Sequence, residues 1–374
     1  MSAQGSPSSA DSGAVFRFSQ NNFDLIRLVA AGEVAAKHSL VHLAPDEFPH
    51  WAKACFAFVP GVPIFFFLSG FLISRSWERS PSAAEYARNR ALRIFPALWC
   101  CVAFATALLF LTGYLGSVEW QPLKLVAWMV GQATVFQFWT PDFLRDFGVG
   151  AVNGSLWTIS VEIQFYVLIA VIYTAMRGLS ARAQTVTLGA LAVAFSSLNL
   201  FRSEVAVFID ESTGWWVATK LYSVSFPPWF FMFLLGAWAQ RNSSWIVPLC
   251  IRHARGIVAL YLAVMFTAFH FGRLPLGNDI PVYLVPLMGA AVLSCAYVRP
   301  GLAHRVLCGN DASYGLYIYH FPIVNVIIET GRVGGIAWVA VALVASVACA
   351  VASWVFIERP FLRRKKSALR PVGG

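Results

Sequence analysis

Charge is what this 374-residue chain has least of: Asp, Glu, Lys and Arg make up 12% of it, against about a quarter in ordinary globular domains. With 58% hydrophobic residues and a mean hydropathy of +0.64, that scarcity excludes a water-soluble enzyme and points to one polytopic membrane domain. Paired cysteines are missing too. Cys55, Cys100, Cys101, Cys250, Cys295, Cys308 and Cys349 form no C-x-x-C and no regular spacing, which argues against a disulfide framework or a zinc site. Residues 1–15, rich in Ser, Ala and Gly, lack the basic stretch that opens a signal peptide. Residues 1–19 are therefore expected to be a disordered cytoplasmic lead-in, with the first apolar span serving as an uncleaved insertion signal. No repeat of 20 to 50 residues and no inverted repeat of the transporter kind is visible. The net charge of +10 is dispersed between apolar stretches, and 22 of the 28 cations are Arg. It reads as membrane topology, and nucleic acid is not an expected partner.

Apolar stretches of membrane-spanning length occur at 23–44, 54–73, 95–116, 155–176, 184–201, 221–239, 255–271, 281–298, 313–330 and 336–357. Segment 123–138 is a doubtful eleventh, and charge decides it. With ten spans and a cytoplasmic N-terminus, 19 of the 28 Lys and Arg lie on the inner side and seven on the outer; a crossing at 123–138, which takes Lys124 into a span, changes this to 11 against 14. The positive-inside rule prefers the first arrangement. The expected fold is an all-α bundle of about ten transmembrane helices with both termini cytoplasmic. Segment 123–138 becomes a re-entrant or interfacial helix, and 363–374 a basic cytoplasmic tail after a domain over 20–362.

Ionisable groups inside a span are costly and call for a partner or a role. Span 1 carries Asp24, Arg27, Glu33, Lys37 and His38. Glu33 and Lys37 have the i, i+4 spacing of a helix-stabilising ion pair. Asp24, Arg27 and His38 fall on another face, and His38 lies about 22 Å along the helix from Phe23. His38 and His42 share metal-ligand spacing, but no H-E-x-x-H or third ligand accompanies them, so no metal is expected. Glu162, in a span running inward, comes out about 10 Å below the outer surface, at a depth similar to that of His38, and suits orientation of its imidazole. A Glu that merely bonds to the helix start is the plainer alternative. His320, about 10 Å from the inner surface, is not expected to share a shell with His38, and a bond to a carbonyl near Pro322 accounts for it equally well. The loop before span 3 holds Arg88, Arg90 and Arg93, near the Ser69-Gly70 step that ends a Phe-rich run. Guanidinium forks suit phosphates and Gly admits a narrow chain close to backbone, whereas anchoring to anionic lipid is the alternative.

Several stretches together resemble the acyltransferase 3 family of integral membrane acyltransferases. They are Asp24-Leu25-Ile26-Arg27 with His38 eleven residues after Arg27, Leu68-Ser69-Gly70-Phe71-Leu72, and Arg90-x-x-Arg93-Ile94-x-Pro96. Ser155-Leu156-Trp157-Thr158-x-x-Val161-Glu162-x-Gln164-Phe165-Tyr166, Ser313-Tyr314-x-Leu316-Tyr317-x-x-His320 and Glu358-Arg359-Pro360 complete the set. Glu33 and Lys37 put charge where such helices are usually aliphatic, and Ile163 stands where many members have a second Glu. The fused esterase-like domain of some larger members is not expected. The resemblance implies transfer of an acyl group from cytoplasmic acyl-CoA, with acetyl-CoA the expected donor, to a hydroxyl of a cell-envelope glycan or lipid-linked saccharide in a bacterial inner membrane. On that pattern Arg90, Arg93 and Arg27 hold the CoA phosphates and the pantetheine arm passes Ser69 and Gly70. His38 acts as general base or transient acyl carrier, with Glu162 or Asp24 orienting it. His320 and Tyr317 stand in a shared motif without an assigned role, and Asp24 suits a pairing with Arg27 better than one with His38. A transporter or flippase of an envelope precursor is the competing reading; it leaves the cationic stretch beside Ser69-Gly70 unexplained. A purely structural subunit leaves the intramembrane His and Glu without purpose.

Overall fold

The computed structural model describes residues 18–80, 82–213, 216–274 and 278–367. Most of the lead-in expected over 1–19, and the end of the basic tail from 368 onward, lie outside the described residues. Among those described every regular element is helical, as lipid demands of a chain that must satisfy its backbone polar groups internally.

The chain runs through α1 (Phe23–Leu43), α2 (His50–Phe58), α3 (Gly61–Arg79), α4 (Ala83–Leu111), α5 (Tyr114–Ser117), α6 (Pro122–Gln132) and α7 (Trp157–Ala175). It continues through α8 (Ala181–Leu200), α9 (Arg202–Thr213), α10 (Trp216–Ser223), α11 (Phe230–Arg241), α12 (Ser243–Arg252) and α13 (Ala254–His270). The last elements are α14 (Val285–Tyr297), α15 (Leu302–Leu307), α16 (Ser313–Glu329), α17 (Ile336–Ser353), one π-helical turn (Trp354–Glu358) and α18 (Arg359–Ser367). Each expected span overlaps one or two of these helices. Five helical segments are long and apolar enough to cross a membrane, and a sixth is if α12 and α13, bent by 80°, count together. Helix α1 is long enough but carries four charges, while α11 has only 12 residues. Helix α6, 11 residues or about 16 Å long, is too short to cross, in keeping with its expected place outside the spans.

Two boundaries differ from expectation. The span expected over 221–239 is one helix only from Phe230, since α10 ends at Ser223. The cationic loop before span 3 is largely helix: α4 starts at Ala83, where the Ser82 hydroxyl accepts the Glu85 N–H at 3.1 Å. Arg88, Arg90 and Arg93 therefore sit within two turns of a helix that starts before its apolar stretch.

Helix α1 lies among α3, α14, α16 and α17, which explains how it tolerates charge. Lys37 Nζ lies 3.2 Å from Glu33 Oε1, and Glu33 Oε2 accepts the Gly61 N–H, one of the unpaired donors at the start of α3. The closest helix contact joins α3 to α11. A Cβ at Gly70 would stand 1.9 Å from the Phe233 carbonyl oxygen and one at Gly236 2.0 Å from that of Phe67, so two glycines let the backbones touch. The starts of α1 and α16 and the π-helical turn lie at one end of the bundle, since Asp311 meets both Arg27 and Arg93, and Arg93 reaches Glu358.

Candidate functional site

A small cavity of about 50 Å³ lies where α1, α3, α4, α7 and α16 converge; its lining includes Arg27, Ser69, Arg93, Glu162, Tyr166 and Tyr317. Five helices far apart in sequence thus contribute to one space. Glu162, one turn into α7, accepts hydrogen bonds from the Ser69 hydroxyl at 2.7 Å and the Tyr166 hydroxyl at 2.6 Å. Its expected role of orienting His38 is not what the structure shows: its carboxylate is directed to α3 and to its own helix. The Tyr317 hydroxyl lies 2.7 Å from that of Thr158, which ties α16 to the start of α7.

At one end of the cavity the arginines are paired. Arg27 lies 3.6 Å from Asp24 and 3.3 Å from Asp311; Arg93 binds Asp311 and lies 3.7 Å from Glu358. Asp311 also accepts from the Ser313 N–H and hydroxyl. Burial alone would raise the Asp311 carboxyl, but the charges of Arg93 and Arg27 outweigh it and hold the group well below the usual carboxylate range. Two guanidiniums face three carboxylates here, so Arg27 and Arg93 do not form the bare cationic cradle that a phosphate site requires.

His38 and His320 come together, against the expectation that they lie in different shells. Nδ1 of His38 is 2.9 Å from Nε2 of His320, and the rings stack with centroids 5.2 Å apart. The expected depths assumed that both helices start at the same membrane surface. Helix α16 instead begins beside Asp311, level with Arg27, already the fifth residue of α1, so its eighth residue reaches His38. Nδ1 of His320 faces the Leu316 carbonyl at 3.2 Å. A carbonyl only accepts, so His320 Nδ1 carries a proton and Nε2 of the neutral ring is an acceptor. His38 then donates from Nδ1 and keeps a lone pair on Nε2, the form a general base needs. The pair lies beyond the cavity wall formed by Tyr317, whose ring packs edge-on against both Phe65 and His320.

The remaining expected residues are spread. Ser69 lines the cavity, but Gly70 does not open a passage: the space where its side chain would stand is filled by the Phe233 backbone. Arg90 lines a separate groove and stands over the Tyr166 ring at 5.9 Å. Asp24 pairs with Arg27. Asp311 went unnoticed in the sequence because an acid just before an apolar span looks like an ordinary helix cap. Glu358, Tyr166 and Thr158 stand inside the quoted motifs, where only the motif marked them.

Comparison with known proteins bears on this arrangement. The acyltransferase 3 family model, an acyltransferase domain, matches residues 20–357. Nodulation protein 10 of Rhizobium leguminosarum bv. viciae is 30% identical over 363 residues, covering 93% of this chain and 95% of its own. The O-acetyl transferase of Shigella phage Sf6 is 28% identical over 361 residues, 93% of this chain and 98% of its own. No solved structure matches. A polar cavity and a histidine pair inside an apolar helical bundle, matched from end to end by that family model, make this chain a membrane-embedded member of the acyltransferase 3 family and an acyltransferase.

Proposed function

We propose that the enzyme moves an acetyl or similar acyl group from acyl-CoA, on the side where α1 begins, to a hydroxyl of a cell-envelope glycan or lipid-linked saccharide. That side is the cytoplasm and the membrane a bacterial inner membrane, which agrees with the 19 cations assigned to the inner loops. The observation that carries the reading is the His38–His320–Leu316 chain, which leaves Nε2 of His38 as a proton acceptor. Nε2 takes the acceptor's hydroxyl proton as its oxygen attacks the thioester carbonyl. The carbon–sulfur bond breaks, and the proton passes to the leaving CoA sulfur, giving an O-acyl ester and free CoA.

Arg27 and His38 are eleven residues apart, about 16 Å along α1, so the charged cluster stands well away from the base and an extended donor arm must reach it through the cavity. Ser69, Glu162 and Tyr166 line its path, and the thioester must pass the Phe65–Tyr317 contact to reach His38. Arg93, held between Asp311 and Glu358, positions Asp311 and through it Arg27. The phage relative's printed activity, O-acetyl transfer, supports a hydroxyl acceptor.

Mass spectrometry of envelope glycans and lipids tests the reading. Cells expressing the wild-type chain should carry an acyl mass increment that cells with equal membrane levels of His38→Ala lack. Identical profiles from the two strains would overturn it.

A further inference from the structure

The histidine pair has a third imidazole beside it. His42 lies four residues beyond His38, about 6 Å nearer the end of α1, and i, i+4 spacing puts both side chains on one helix face. Their ring centroids are 6.1 Å apart. Those of His38 and His320, which bond directly, are 5.2 Å apart, so His42 stands farther from His38 than a bonded ring does.

One fixed wall sets that spacing. The Phe321 ring packs edge-on against His38 with centroids 5.2 Å apart and against His42 at 6.1 Å. It is held from behind: a Cβ at Gly154 would stand 2.6 Å from Phe321 Cζ, and the neighbouring Asn153 side chain donates to the Ile318 carbonyl at 2.8 Å. Tyr317, one turn earlier on α16, walls the histidine pair on the cavity side, and Phe321 walls it toward the end of the helix. Phe321 and His320 are buried, whereas His38 and His42 are both half-buried, so each of these two imidazoles keeps accessible surface.

Hydrogen bonding separates the two residues. His38 has Nδ1 engaged by His320. His42 touches only rings, and among the described residues neither of its nitrogens has a hydrogen-bond partner. A polar ring without a partner inside a span calls for one, and a hydroxyl group can meet it from the accessible side.

We infer that His42 binds the acceptor, and that the acceptor carries two adjacent hydroxyls: one bonds to the His42 imidazole while its neighbour gives its proton to Nε2 of His38. Oxygens on neighbouring carbons, each within about 3 Å of its own ring, span two imidazoles at this separation. The inference rests on the acyl-transfer reading above and names the residue that selects which hydroxyl is acylated.

The test uses the purified full chain in detergent, labelled acetyl-CoA, and acceptor extracted from membranes and supplied as a dilution series. His42→Phe keeps the ring contacts but loses the hydrogen bond. It should raise the apparent Michaelis constant for the extract about tenfold, the worth of one hydrogen bond, and leave that for acetyl-CoA unchanged; His42→Gln should recover part of the loss. Extract treated with periodate, which cleaves the bond between adjacent hydroxyl-bearing carbons, should no longer take label from the wild type. Undiminished transfer to treated extract would overturn the adjacent hydroxyls. If His42→Phe matches wild type on the extract, or melts lower without splitting the two Michaelis constants, His42 serves only the helix end and the inference falls with the acyl-transfer reading intact. Absence of transfer from the wild type to untreated extract would overturn that reading and this inference with it.

Discussion

His320 acts on His38 through a single hydrogen bond, and its contribution is separable from fold. His320→Phe removes the acceptor for His38 Nδ1 and frees the imidazole to place its proton on Nε2, the wrong nitrogen for a base. Turnover should fall by about 10²- to 10⁴-fold, the usual contribution of general base catalysis, with the Michaelis constant for the donor unchanged. His320→Gln, whose carbonyl can still accept, should recover part of the loss; steady-state kinetics distinguish the two outcomes. Asp311 is a structural counterpart. Replacing it by Asn leaves two half-buried guanidiniums, Arg27 and Arg93, each short of one partner, and the loss should appear as a lower melting temperature. Its depressed carboxyl stabilises the fold above the unfolded-state value of about 4, and that contribution is lost as pH falls toward the folded-state value. Wild type should therefore lose stability below about pH 4 more steeply than Asp311→Asn. The Asp24–Arg27 and Glu33–Lys37 pairs were legible in the sequence, because helical spacing alone brings i, i+3 and i, i+4 residues together. The His38–His320 and Arg27–Asp311 contacts were not, because they depend on how far α16 is offset along α1.

At the level of elements, glycine governs the α3–α11 contact. Gly70→Val has no space: its Cβ would overlap the Phe233 carbonyl and push the helices apart. The variant should be poorly expressed or melt well below wild type in a detergent thermal assay, whereas Gly256→Ala, with open space around it, should be neutral. The ten apolar stretches marked helices reliably because a span must be both long and apolar. Helix starts were less legible. The charged residues within 83–93 hid the first turns of α4, which extend past the apolar stretch on the strength of the Ser82 cap and expose Arg88. The Ser69-Gly70 step was legible as a close approach, but hydropathy does not say what approaches, and here it is another helix.

Across the whole molecule, Arg27, Asp311, Arg93 and Glu358 join the first and last long helices at one end, so the chain crosses the membrane an even number of times between them. Charge counting gives the same parity independently. A cysteine-accessibility scan should label residues 202–212 from outside the cell and residues 299–306 only after permeabilisation; the reverse pattern would invert the proposed topology. The central claim, that His38 is the base in acyl transfer, is tested most directly by following radiolabel from acetyl-CoA to acceptor extracted from membranes, with purified wild type and His38→Ala. The variant should remain stabilised by acetyl-CoA yet transfer at least a hundredfold less label. Transfer within tenfold of wild type would contradict the assignment.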